Sequence, residues 1–430
     1  MVGIDGGHGV ASGERIEADY WLETPGNPRR TAEVMAGEQS SGTFVAVPGE
    51  TPELTERAAA RVEAIALLDR ADTPSLPSAT PQAFPVPGDY RRARVTLSWP
   101  LETLGPSLPN LVATVAGNLF ELRQVSGLRL LDIRLPAAFA SAYGGPRFGV
   151  SGTRKLTGVK TGPVIGTIIK PSVGFGPQET ADLVATLVEA GIDFIKDDEL
   201  QSDGPLCPFE ARVDAVMRVV KAEADRRGRQ AMIAFNITGD LDQMKRRHDH
   251  VLKAGGTCVM ASLNSVGLTG MIELGRFTQL PIHGHRNGWG YLSRSPGLGW
   301  DYRAWHKLWR LAGVDHLHVN GLANKFSEPD DSVIASARAC LTPLFPHRAD
   351  TVMPVFSSGQ TVRQAAGTYA ALGTTDLIFA AGGGILAHPD GPAAGVSALR
   401  EAWDAAIAGQ ALEAAAAERP ALAAALGRFS

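Results

Sequence analysis

The chain has 430 residues, with 41 lysines and arginines against 45 aspartates and glutamates and a formal net charge of −4. That length leaves room for two domains or for one large barrel plus a smaller unit. With 44% hydrophobic and 20% charged residues, wholesale disorder is excluded. The charge balance lacks the basic stripe of a nucleic-acid binder, and no run of about 18 apolar residues is present to span a membrane. Cys207, Cys258 and Cys340 are too scattered for a disulfide framework or a zinc cluster. The N-terminus shows no basic stretch followed by an apolar one. The expectation is a cytoplasmic enzyme.

Residues 1–145 read as a small α+β domain. Arg15–Glu23 and Gly42–Val47 have strand character, and Glu53–Asp69 is rich in Ala and Glu with helical apolar spacing. Asp72–Gly88, rich in Pro, Ser, Thr and Gly, reads as a loop. Arg92–Trp99 and Leu128–Leu135 are further strands, with a helix near Leu111–Arg123 between them.

From about Pro163 short apolar runs alternate with amphipathic helices, the pattern of repeated βα units. The runs are Val164–Lys170, Phe194–Asp197, Met232–Ile237, Cys258–Leu263, Leu280–Gly284, His316–Asn320, Val352–Ser357 and Leu377–Ala380. Eight such units predict a (β/α)₈ barrel over residues 146–430, closed by an Ala-rich helical tail, Ala393–Leu426. An open doubly wound sheet is the alternative, since counting strands does not show closure. Polar groups following most of the runs favour the barrel, where such positions converge on one face.

The chemistry-bearing residues sit at those strand ends. In IDFIKDDE an apolar strand stops in Lys196 and three carboxylates, of which Asp198 and Glu199 are placed as hard oxygen ligands of the kind Mg²⁺ takes. A lysine among them has a role if it is neutral or modified, and CO₂ would convert it into a third anion; a solvated charge run is the plainer reading. Lys170 ends the first barrel strand in IIKPSVGFG, either as a proton-transferring lysine or as a surface residue at a turn. His283–Arg286 (HGHR) and Asp315–His318 (DHLH) put alternate histidines on single strand faces. That raises a histidine metal site, although Arg286 favours phosphate recognition, and His283 and His316 also read as satisfied core histidines. Ser357–Gly359 and Gly382–Gly384 lie after strands seven and eight, where barrels build phosphate sites from backbone N–H groups.

Taken in order, IIKP, GIDFIKDDE, His285–Arg286, DHLH, NGLANKF, SSGQ and GGGILAHP resemble the motifs of the ribulose-bisphosphate carboxylase (RuBisCO) large chain. GEQSSGTF around Glu38 and AGNLF around Asn118 extend the resemblance into the first domain, so it covers nearly the whole chain. The resemblance implies a (β/α)₈ TIM barrel preceded by a smaller ferredoxin-like α+β domain. It implies a Mg²⁺ site of Asp198, Glu199 and a CO₂-derived carbamate on Lys196. Lys170, His285 and the loop residue Lys325 would act on the substrate. Arg286, His318 and Ser358 would hold one phosphate, with Gly359, Gly382 and Gly383 at the other end. Glu38, Thr43 and Asn118 would reach in from a partner subunit, making a homodimer with shared sites.

Departures from the family pattern imply a RuBisCO-like protein (form IV) that does not fix CO₂. Ser172 replaces a second lysine, Ile168 a threonine, and the glycine-flanked lysine loop has become ANKFSEP. Gln360 stands where carboxylases have glycine, which suggests a smaller or differently charged ligand end. The NGLANKF loop and Ser172 point to a Mg²⁺-dependent decarboxylase of a 3-oxo sugar acid phosphate such as 3-oxo-isoapionate 4-phosphate. The alternatives are 2,3-diketo-5-methylthiopentyl-1-phosphate enolase, methylthioribulose-1-phosphate isomerase, or a non-catalytic scaffold that has kept the fold. Intact KDDE residues argue against the scaffold.

Overall fold

The computed structural model describes residues 13–42, 47–77, 89–346 and 348–429. Its two compact units are Met1–Gly144 joined by Gly288–Leu311, and Gly145–Asn287 joined by Ala312–Ser430.

The first unit is built on β1 (Arg15–Thr24), β2 (Arg61–Ala71), β3 (Tyr90–Pro100) and β4 (Gly127–Arg134), all pairing antiparallel in the spatial order β4-β1-β3-β2. Helices Pro28–Glu38 and Leu108–Val115 complete a βαββαβ, ferredoxin-like order. Along β1, Ile16, Ala18, Tyr20 and Leu22 are fully buried, while Glu17 and Asp19 face the other way and bind Arg134. The Tyr20 hydroxyl donates to the Val115 carbonyl at 2.7 Å and ties the second helix to the sheet.

Two expectations for this unit are corrected. Glu53–Asp69 is not one helix: Pro52–Ala58 is helical, the backbone extends at Ala59 (ψ 138°), and Arg61–Ala71 pairs with β3 as a mostly exposed edge strand. Pairing with a neighbour overrides the helix preference of its alanines and glutamates. The helix Pro28–Glu38 was not expected, yet Asn27 caps it by accepting from the backbone N–H groups of Arg29 and Arg30, with Pro28 in the first turn. Of the expected strand Gly42–Val47 and loop Asp72–Gly88, residues 43–46 and 78–88 lie outside the described residues.

The second unit opens its barrel with β5 (Val164–Ile168), β6 (Phe194–Lys196), β7 (Met232–Asn236), β8 (Cys258–Ser262) and β9 (Ile282–His285). The chain then departs. Leu298–Trp300 (β10) pairs parallel with β4 in the first unit's sheet, where Arg129 donates to the carbonyls of Ser293, Ser295 and Trp300 at 2.7–2.9 Å. The sequence division at residue 145 had left 288–311 with the barrel; hydrogen bonding to β4 moves that segment to the other unit. The barrel resumes with β11 (His316–His318), β12 (Met353–Phe356) and β13 (Ile378–Ala380), and closes through β9–β11 and β13–β5 pairs. Each strand lies within one of the eight expected runs or overlaps it. Val164, Phe194, Met232, Met260, Val355 and Ile378 fill the interior. Gly166 makes room for Phe194, since a Cβ there would lie 2.9 Å from its ring.

Candidate active site

β6 carries an apolar strand straight into the charged turn. Lys196, 1% exposed, donates from Nζ to the Asp197 carbonyl at 2.7 Å and to Glu199 Oε2 at 3.1 Å. Asp197 turns away: its Oδ2 accepts from buried Arg212 at 3.2 Å and from the Asn236 backbone N–H at 2.9 Å. Of the three consecutive carboxylates, Asp198 and Glu199 are the two left to the Lys196 cluster. Asp198 Oδ2 accepts from Lys170 Nζ at 2.5 Å, and Lys170 also donates to Ser172 Oγ at 2.7 Å. Glu199 Oε2 lies 3.5 Å from His285 Nε2. The structure therefore gathers Lys170, Lys196, Asp198, Glu199 and His285 at the ends of β5, β6 and β9.

Burial dominates the electrostatics. It lowers the Lys196 pKa against the pull of Glu199, Asp198 and Asp197. It also brings His285 down to about 4, with Lys196 adding to the effect, so that imidazole is neutral at physiological pH. For Glu199 burial acts upward, but the charge of Lys196, with hydrogen bonds from that side chain and from backbone, outweighs it and holds the carboxyl at about 2. Among the described residues no three His, Cys, Asp or Glu side chains form a metal-binding group.

Of the residues expected at phosphate ends, Arg286, His318 and Ser358 share one network of contacts. His318 is buried between His283 (Nε2–Nε2 2.7 Å) and Ser357 (Nδ1–Oγ 3.0 Å). Arg286 is ion-paired with Glu328. Asn320 Nδ2 donates to Glu328 at 2.7 Å, and Ser358 Oγ donates to Asn320 Oδ1 at 2.9 Å. Gly382 and Gly383 open the short helix Gly382–Leu386, and a Cβ on Gly383 would meet nothing within 4 Å. Gly359 has φ +89° and abuts Lys325. The Lys325 backbone N–H donates to the Ser358 carbonyl at 3.2 Å, but its ammonium lies 5.2 Å over the Phe326 ring and joins no carboxylate of the cluster.

Gln360 departs from expectation. It is 1% exposed and donates to the Leu322 carbonyl at 3.1 Å, packed where a Cβ on Gly321 would be 2.1 Å away. It braces the Lys325 loop instead of shaping a ligand end. In the first unit Asn118 Nδ2 donates to Glu38 Oε1 at 3.1 Å, and both side chains are exposed. Thr43 lies outside the described residues.

Asn236, Asn320 and Glu328 were missed by sequence reasoning. Asn236 Nδ2 donates to the Asp198 and Glu199 carbonyls at 3.3 and 3.2 Å, fixing the charged turn from β7. A polar residue ending the apolar run MIAFN was its signal.

Comparisons with known proteins agree with this architecture. Residues 149–429 match the family model of the ribulose bisphosphate carboxylase large chain, catalytic domain, and residues 23–139 match its N-terminal domain. The chain is 65% identical over 414 residues to the 3-oxo-isoapionate-4-phosphate transcarboxylase/hydrolase of Xanthobacter autotrophicus, covering 96% of this chain and 99% of that protein. It is 45% identical over 417 residues to the 3-oxo-isoapionate-4-phosphate decarboxylase of Rhizobium etli, covering 96% and 99%. The crystal structure of a rubisco-like protein from Burkholderia fungorum superposes with a TM-score of 0.91 at 51% identity, covering 96% of this chain and all of that one. The chain belongs to the RuBisCO large-chain family, as a RuBisCO-like protein and not a CO₂-fixing carboxylase.

Proposed function

We propose that this enzyme acts on 3-oxo-isoapionate 4-phosphate and that its chemistry begins with loss of the substrate carboxyl group. The observation that carries the reading is buried Lys196 paired with Glu199, next to Asp198 held by Lys170, in a chain 65% and 45% identical to enzymes named for that substrate.

The donor set fits Mg²⁺ once Lys196 is modified. Two carboxylates alone are few ligands, and burial favours the neutral amine that attacks CO₂. In that step the Nζ–C bond forms, the neutral amine gives up one proton, and Lys196 would become the third anionic donor in place of a competing cation. When bound, the ion polarises the carbonyl and hydroxyl oxygens of the substrate.

The remaining work falls to side chains. As the bond to the carboxyl carbon breaks, its electron pair moves toward the ketone oxygen and leaves an enediolate. Lys170, half-exposed and poised on Asp198, then delivers a proton to the carbon that lost the carboxyl group. Neutral His285 hydrogen-bonds the adjacent hydroxyl. Backbone N–H groups of Gly359, Gly382 and Gly383 cradle the phosphate, with Lys325 beside Gly359. His318 faces the other end of the substrate, where Arg286 and Ser358 are tied to Glu328 directly and through Asn320. Glu38, Thr43 and Asn118 complete the site of a partner subunit in a homodimer. Cys207, Cys258 and Cys340 are buried, which fits the cytoplasmic setting proposed for the enzyme; among the described residues no helix is long and apolar enough to cross a membrane.

The higher identity to the transcarboxylase/hydrolase favours a second fate for the carboxyl group, in which it is transferred and water then cleaves a bond. Substrate labelled with ¹³C in the carboxyl group, incubated with Mg²⁺ and bicarbonate and followed by NMR, separates the two. Label appearing as CO₂ supports simple decarboxylation, whereas label in an acid product supports transfer. Both should vanish in Lys196→Ala. No consumption by the wild type overturns the substrate assignment.

A further inference from the structure

The anion position expected at Arg286 is already filled by the chain itself. Glu328 follows β11 on the loop that carries Lys325, and its side chain is 13% exposed against 6% for Arg286. Both carboxylate oxygens are engaged. Oε2 takes the Arg286 guanidinium and Asn320 Nδ2, and Oε1 accepts from Ser332 Oγ at 2.8 Å. Asn320, held at φ 67°, passes the network on by accepting from Ser358. Asn324 Nδ2 donates to the carbonyls of Gly321 and Glu328, both at 3.0 Å, and keeps the loop folded over this arrangement. Two of the three groups suited to a phosphate here, Arg286 and Ser358, are thus spent directly or indirectly on one internal carboxylate.

An intramolecular carboxylate competes at high effective concentration. A phosphate entering beside it would also set like charges together in a largely desolvated place. At the glycine turns the nearest neighbours of a Cβ are Lys325 at Gly359 and Ile168 at Gly382, with nothing within 4 Å at Gly383, and none of these is an acid.

We propose that Glu328 is a specificity-determining residue: its carboxylate occupies the second anion position and restricts the enzyme to substrates carrying a single phosphate, bound at the glycine turns. This rests on the reading of the barrel mouth as a sugar-phosphate site.

The test is isothermal titration of the full-length wild type, Glu328→Ala and Glu328→Gln with ribulose 1,5-bisphosphate and with ribulose 5-phosphate. The wild type should bind the two within about threefold of each other. Glu328→Ala should shift the ratio at least tenfold toward the bisphosphate, a change of about 1.4 kcal/mol, and should take up inorganic phosphate at one additional site. Glu328→Gln retains the shape without the charge, should shift the ratio the same way by less, and carries the test if the alanine variant does not fold. A wild type that already prefers the bisphosphate tenfold, a ratio that neither variant moves, or no binding by any of the three proteins overturns the proposal. Failure of the wild type to consume 3-oxo-isoapionate 4-phosphate would instead sink the activity and leave the ratio readable.

Discussion

Asp197 stands between two candidate metal ligands in sequence and does a different job. Its carboxylate is enclosed, bonded to a fully buried guanidinium and to a backbone N–H of the neighbouring strand. Replacing Arg212 with leucine strands that charge, and removing one member of a buried pair costs about 3–5 kcal/mol. Urea unfolding of Arg212→Leu should show a loss of that size; a loss under about 1 kcal/mol, in the range of exposed pairs, would contradict the structural role. Asp198 and Glu199 were identified as the ligand candidates from the KDDE run. The reason Asp197 is not among them was invisible there, because Arg212 has no mark in sequence to set it apart from any helical arginine.

At the scale of elements, glycine separates packing from recognition. A methyl on Gly166 of β5 would press on the Phe194 ring at 2.9 Å and on its carbonyl at 3.1 Å, an overpacking worth about 1–3 kcal/mol. A methyl on Gly383 would meet nothing within 4 Å of the protein but would stand where backbone must approach a phosphate. Gly166→Ala should therefore lower the unfolding midpoint. Gly383→Ala should melt like the wild type and raise KM about tenfold, the loss of roughly one hydrogen bond. If Gly383→Ala lost stability and kept its KM, the phosphate assignment would fall. Barrel strands were legible because most are short apolar runs, buried on both sides, that end in polar residues. The edge strand β2 was not, because its residues are mostly exposed and their composition favours a helix.

At the scale of the whole molecule, protonation links the core to stability. His283, His316 and His318 lie buried inside the barrel, and burial lowers all three, His316 to about 3. The unfolded chain takes up protons on them below about pH 6.5 while the folded chain resists. Their contribution is thus complete above pH 6.5 and is lost as pH falls toward the folded values, by about 1.4 kcal/mol per pH unit for each histidine. Asp315 works the other way. It accepts from the N–H groups of Phe148, Gly149 and Ile282, and burial raises it to about 6. What it adds is complete below its ordinary value of 3.8 and lost as pH rises through 6. Three histidines outweigh one aspartate, so the unfolding free energy should fall steeply from pH 6.5 to 5; a flat profile would mean the histidines are solvated. Assembly is tested separately. Mixing inactive Lys196→Ala with inactive Asn118→Ala should restore up to about a quarter of wild-type activity if a partner completes each site, and none if each chain works alone.

Strand periodicity, the order of the eight barrel runs and the identity of the chemistry-bearing residues could all be read along the chain, because neighbouring positions encode which face is apolar and where a strand stops. Three decisions needed the folded molecule: Arg212 claiming Asp197, Glu328 claiming Arg286 and Arg129 drawing Trp300 to the other sheet. They join residues 15, 42 and 171 positions apart. A charged side chain takes whichever partner the fold brings within hydrogen-bonding distance, and that choice is made only when distant segments pack.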